Sequence, residues 1–98
     1  MVRGQKIHSR ERKVQREIKK IGVIGAGTMG RGIAQVFALY DYPVVLVDKE
    51  ETLLQDTLNK IKNHTDPELW NRVSGYIETS TNFEKIKDCD LVIEAVFE

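Results

Sequence analysis

Six residues, Gly25-Ala26-Gly27-Thr28-Met29-Gly30, constrain this chain more than any others. Three glycines in six positions favour neither a strand nor a helix interior, so the chain must turn there. They stand between segments of opposite periodicity. Before them, Ile21-Gly22-Val23-Ile24 is a short apolar, β-branched run that reads as a buried strand. After them, Ile33, Ala34, Phe37 and Ala38 recur at helical spacing, so a helix is predicted from Thr28 to about Leu39. Asp41-Tyr42-Pro43 ends it, because proline cannot continue a helix and restricts the residue before it. Val44-Val45-Leu46-Val47 is a second continuous apolar strand, closed by Asp48. Two such strands around one helix predict a right-handed βαβ unit with parallel strands buried on both faces.

The same alternation continues downstream. Glu50 to about Asn63 reads as a helix with Leu53, Leu54, Leu58 and Ile61 on its apolar stripe. Asp66-Pro67-Glu68 has the form of a helix start, with Asp66 as cap and Pro67 at the first helical position. A short helix through Leu69, Trp70 and Val73 then closes at Gly75. Tyr76 to about Ser80 is a strand, and Asn82 caps a brief helix over Phe83 to Lys87. Asp90 introduces a last buried strand, Leu91 to Phe97. The predicted class is α/β: the N-terminal half of a doubly wound parallel sheet, about four strands in the order 3-2-1-4. That order puts strands 21–24 and 44–47 in the middle and strand 91–97 at an edge with unpaired backbone groups. Such an edge is expected either to associate with another copy, giving a homo-oligomer, or to leave the chain only marginally stable.

Composition removes other classes. Ninety-eight residues allow one modest domain and not a separate substrate domain. The longest uninterrupted apolar runs are far below the roughly 20 residues a membrane span needs. No apolar stretch follows the basic N-terminus, which argues against a secretory leader. One cysteine, Cys89, excludes an intrachain disulfide framework and fits a reducing compartment, so the expected location is cytoplasmic. With His8 and His64 far apart, no zinc-ligand spacing exists and no metal is expected. The charges total zero but are unevenly placed: residues 1–20 carry eight basic side chains and two acidic ones. No aromatic interleaves them, so there is no stacking platform for bases. Residues 1–18 therefore read as a solvated arm or linker rather than a nucleic-acid contact, and residues 19–98 as the folded unit.

Chemistry is expected at the first strand-to-helix turn. In the pattern G-x-G-x-x-G, Gly25 permits the tight turn, and Gly27 lets a pyrophosphate approach the backbone. Gly30 lets the helix pack closely on the strand. The free N–H groups and positive dipole end of the helix then face the phosphates. Asp48 ends the second strand 18 residues after Gly30, close to the spacing of roughly 20 at which a carboxylate meets the ribose hydroxyls of a dinucleotide. A carboxylate accepts from a 2′-hydroxyl and repels a 2′-phosphate, which favours NAD over NADP. Asp48 is also placed to act as an N-cap ahead of Glu50 and Glu51.

Three segments in order resemble the N-terminal part of the L-3-hydroxyacyl-CoA dehydrogenases, including the 3-hydroxybutyryl-CoA dehydrogenases. They are Val23 to Ala38, Val44 to Asp48, and Asp90 to Glu98. The Gly-x-Gly-x-Met-Gly element also occurs in the 6-phosphogluconate and 3-hydroxyisobutyrate dehydrogenases. The continuation Gln35-Val36-Phe37-Ala38 and the ending Glu94-Ala95-Val96-Phe97-Glu98 favour the acyl-CoA family.

The resemblance implies that Gly25, Ala26, Gly27, Thr28, Met29 and Gly30 hold the NAD pyrophosphate and that Asp48 holds the adenosine ribose. It places Glu98 near the nicotinamide-side ribose. It also implies an acyl-CoA substrate and an oxidoreductase of fatty-acid β-oxidation or a related pathway. The family's catalytic His and its orienting Glu lie beyond the fourth strand. Residues 1–98 are therefore expected to be an NAD-binding part without catalytic residues, and His8, His64 and Cys89 match no functional position. The alternatives are a stand-alone NAD-binding or structural module without catalysis, or a related dehydrogenase of the 6-phosphogluconate or 3-hydroxyisobutyrate type.

Overall fold

The computed structural model describes residues 18–96. Residues 1–17 of the basic arm, Phe97 and the expected site residue Glu98 lie outside them. The strands β1 (Ile21–Ile24), β2 (Val44–Val47), β3 (Ile77–Ser80) and β4 (Leu91–Glu94) form one parallel sheet in the order β3-β2-β1-β4. Helix α1 (Thr28–Leu39) joins β1 to β2. Helices α2 (Glu51–Asn63) and α3 (Pro67–Ser74) lie between β2 and β3, and a 3-10 helix (Phe83–Asp88) leads into β4. This is the predicted half of a doubly wound sheet.

Register decides which side chains share a face. Ile21 pairs with Val44 and Leu91, and Val44 with Ile77. Val23, Leu46 and Ile93 form the next row but one, on the same side of the pleat. Ala34 of α1 and Leu54 and Ile61 of α2 close over these rows, and none of the three is exposed. Burying a side chain such as Leu or Ile contributes roughly 1.5–3 kcal/mol, so the sheet and its two long helices form one cooperative core. On the opposite face the 3-10 helix packs against β2, and Ile86 and Cys89 lie over Gly22.

That cover stops short of β4. The expected buried strand over Leu91–Phe97 ends at Glu94 among the described residues, and Val92 is 42% exposed. A continuous apolar run taken alone predicts burial on both faces, but β4 is the edge strand that the order 3-2-1-4 requires, and among the described residues it has β1 on one side only.

Local signals settle most boundaries. Asn82 caps the 3-10 helix, its side-chain Oδ1 accepting the Glu84 N–H at 3.0 Å. Helix α2 starts at Glu51 with Glu50 in the capping position, one residue later than the apolar stripe suggests. Asp66 stands at the N-cap of α3 as expected, but its side chain makes no cap bond. The turn after α1 is held by α3: Arg72 pairs with Asp41, which adopts φ 70°, and also donates to the Leu39 carbonyl at 3.4 Å. An aspartate tolerates that left-handed conformation better than most residues.

Two glycines are required by the backbone. Gly25 has φ 107°, and a Cβ there would lie 2.9 Å from the Ala95 carbonyl oxygen. A Cβ at Gly30 would overlap the Gly25 carbonyl oxygen outright. Gly30→Ala is therefore expected to destabilise the fold by at least about 2 kcal/mol, measured by chemical denaturation. A change below about 0.5 kcal/mol, the scale of ordinary surface substitutions, would show that α1 can move off the turn.

Candidate functional site

The sheet reverses direction of growth at β1. The chain runs outward from β1 through β2 to β3, then crosses back to β4 on the other side. The crevice at such a switch point, beyond the carboxyl ends of the strands, is where open α/β sheets bind ligands. A cavity of about 420 Å3 lies there. Gly25, Ala26, Gly27, Thr28 and Met29 line one wall and Asp48 another, with Leu53, Ala95 and Val96 completing it. Six of the predicted site residues thus meet at one cavity. Gly30 does not line it, because that residue is buried beneath the turn where α1 meets Gly25.

The helix end facing the cavity carries unused donors. Gly27 is the N-cap of α1, with no side-chain cap bond and no acidic residue in the first turn. The first intrahelical bond runs from the Arg31 N–H to the Gly27 carbonyl at 2.8 Å. The N–H groups of Thr28, Met29 and Gly30 precede it, and an α-helix offers them no internal acceptor. A twelve-residue helix adds its dipole, equivalent to roughly half a positive charge at this end. An anion fits here without any basic side chain.

Gly27 itself is not required by the fold. Its φ is −75°, open to any residue, and a Cβ built on it meets nothing within 4 Å. The space in front of it is the cavity.

Asp48 follows β2 and reaches across to the turn. Its Oδ2 accepts the Ala26 N–H at 3.0 Å, and its Oδ1 accepts the Glu50 N–H at 3.2 Å. Asp48 was expected as an N-cap. Instead it stands two residues before the cap position and holds the α2 entry through Glu50. Each carboxylate oxygen keeps lone-pair capacity for a further donor. The half-buried carboxylate therefore presents acceptors to the cavity while bracing the turn.

Other candidates lie elsewhere. His64 sits just beyond the C-terminal end of α2, its Nδ1 2.7 Å from the Lys60 carbonyl oxygen, whereas Asp48 lies before the N-terminal end. Cys89 packs behind β1, and burial pushes its thiol above the ordinary range, which keeps it protonated and poorly nucleophilic. Leu53, Ala95 and Val96 were not anticipated in the cavity. Leu53 reads as a core position of α2, and Ala95-Val96 as the end of a strand. Their place follows only from the parallel pairing of β4 with β1, which carries the chain after Glu94 past Gly25.

A parallel sheet of this order, with a glycine-rich turn and an acidic strand end at its switch point, defines a nucleotide-binding unit of the Rossmann type. A sequence model described as "3-hydroxyacyl-CoA dehydrogenase, NAD binding domain" matches residues 20–98, and the chain belongs to that family. NAD is thereby the cofactor of this domain.

The chain is 38% identical over 88 residues to 3-hydroxybutyryl-CoA dehydrogenase of Clostridioides difficile, covering 81% of this chain and 31% of that protein. It is 34% identical over 94 residues to the peroxisomal fatty acid beta-oxidation multifunctional protein MFP2 of Arabidopsis thaliana, over 87% of this chain and 13% of that one. The solved structure of 3-hydroxybutyryl-CoA dehydrogenase from Escherichia coli matches with a TM-score of 0.78 at 29% identity. That match covers 85% of this chain and 20% of the other. The chain spans less than a third of the length of each of these relatives. The resemblance read from the three segments and the predicted sheet order both agree with these matches.

The double role of Asp48 has a measurable consequence before any ligand is added. Asp48→Ala leaves the buried Ala26 N–H without its acceptor, at a cost of about 1–3 kcal/mol. Asp48→Asn keeps a carbonyl acceptor and is expected to cost less. Denaturation of both variants, with amide exchange at Ala26, checks this. Equal stability of wild type and Asp48→Ala would mean that the carboxylate does not hold the turn.

Proposed function

We propose that this domain binds NAD across the β1–β4 crevice. Residues Gly25 to Met29 take the pyrophosphate, Gly30 seats α1 beneath them, and Asp48 takes the adenosine ribose. Glu98, beyond the described residues, is assigned to the nicotinamide-side ribose on the family resemblance alone. The protein to which the domain belongs oxidises the 3-hydroxyl of an acyl-CoA to a ketone. NAD, when bound, supplies the acceptor for the hydride leaving C3. The residues of this chain contribute binding and orientation. The α1 N-terminus neutralises phosphate charge with backbone donors. Asp48 accepts from ribose hydroxyls, and the apolar side chains of Met29, Leu53 and Val96 limit water around the cofactor. Residues 19–98 form the NAD-binding unit, and the proton-accepting base belongs to another part of the enzyme. The proposed compartment is the cytoplasm, on the strength of the lone cysteine.

One observation carries the reading. Gly25 and Gly30 are explained by the backbone alone, but Gly27 is not, since its conformation and surroundings accept a side chain. A glycine without a packing reason at the mouth of a cavity, on an uncapped helix end, is explained by close approach of a ligand.

Gly27→Val is accordingly expected to abolish NAD binding in titration calorimetry while shifting stability by no more than about 1 kcal/mol. Normal NAD binding by that variant would place the pyrophosphate elsewhere. For the unmutated protein, NAD is expected to bind at least about tenfold more tightly than NADP, the scale of one unfavourable charge contact worth about 1.4 kcal/mol. Equal or tighter NADP binding would remove Asp48 from the ribose role.

A further inference from the structure

Helix α2 contains a polar residue where its apolar stripe calls for a hydrophobic one. Leu54, Thr57 and Ile61 are its buried positions, and Thr57 is only 2% exposed. A buried hydroxyl costs free energy unless it is hydrogen-bonded. A mid-helix threonine ordinarily bonds back to the carbonyl four residues earlier in its own helix. Thr57 instead donates to the Ala26 carbonyl oxygen at 2.5 Å, linking residues 31 apart. Valine has the same shape and would fill the site, so packing does not explain the hydroxyl.

The bond falls on one particular peptide unit. The Ala26 carbonyl and the Gly27 N–H belong to the same planar trans peptide, so they point in opposite directions. Holding the carbonyl toward α2 turns the Gly27 N–H away from it, and Gly27 lines the cavity. Among the described residues nothing accepts a hydrogen bond from that N–H. The preceding peptide is fixed independently, because Asp48 accepts the Ala26 N–H. Two consecutive peptide planes of the turn are thus set by side chains from outside it.

We propose that Thr57 is a positioning residue for the cofactor. Its hydroxyl aims the Gly27 amide at the pyrophosphate from 31 residues away and touches no part of the ligand. This inference rests on the NAD reading above and adds a specific residue to it.

The test compares wild type, Thr57→Val and Thr57→Ser in the full chain. NAD affinity is read by calorimetry, and the Gly27 amide by 15N NMR without cofactor. Thr57→Val is expected to weaken NAD binding about fivefold to tenfold, the scale of one lost hydrogen bond, and to shift the Gly27 resonance and speed its exchange. Thr57→Ser retains the hydroxyl and is expected to restore affinity to within about twofold of wild type, well inside the tenfold that one lost bond can reach. A purely structural role would lower the melting temperature of Thr57→Val but leave the affinity of the folded molecule and the Gly27 resonance unchanged, and that result overturns the proposal. So does equal weakening by Ser and Val. A wild-type chain that binds no NAD overturns the cofactor reading and this inference together, whereas wild-type binding that survives Thr57→Val unchanged overturns this inference alone.

Discussion

The contact on which the rest of the molecule depends is backbone against backbone: the first turn of α1 lies directly on the Gly25 carbonyl. Only a residue without a side chain at position 30 permits it. The contact fixes where α1 leaves the sheet. It therefore fixes which faces of α1 meet β1 and α2, and where its uncapped end opens. Gly25 in turn uses its positive φ to bring the chain past Ala95. The crevice between β1 and β4 is thus shaped by two glycines before any functional side chain is considered.

Onto that frame the side chains add a second layer of control. The turn is supported from β2 through Asp48 and from α2 through Thr57, while its outer surface is left with free amides. The inner polar groups of the turn are satisfied by protein, and the outer ones are available to a ligand. Such a division suits a site that must hold its shape with and without an anion, because no internal bond has to break when the anion arrives.

Much of this was legible in the amino-acid string, and for identifiable reasons. The βαβ unit at 21–47 is written in short-range patterns: a β-branched run, a glycine turn, helical spacing, a proline stop. Asp48 was legible by its distance from Gly30. The edge position of β4 was legible in the predicted order 3-2-1-4, but the strand's early end at Glu94 was not, because apolar residues resume after it in Ala95 and Val96. Thr57 was not legible either. The stripe drawn through Leu53, Leu54, Leu58 and Ile61 is rotated slightly from the one actually buried, which runs through Leu54, Thr57 and Ile61. Leu53 consequently faces the cavity instead of the core centre. A polar residue one step off an apolar stripe was the available signal, but its partner lies 31 residues away and only the fold brings them together.

The carboxylate of Asp48 serves the shape of the turn and, in the proposed NAD site, would read the nucleotide with the same two oxygens. Replacing it by a basic residue to welcome a 2′-phosphate would also strip the Ala26 amide of its acceptor. Cofactor preference in this domain therefore cannot drift by single substitutions at position 48 without a toll on the turn itself. On the proposed reading, a change of preference has to arrive with a second residue able to receive that amide, so the turn itself resists a switch of cofactor.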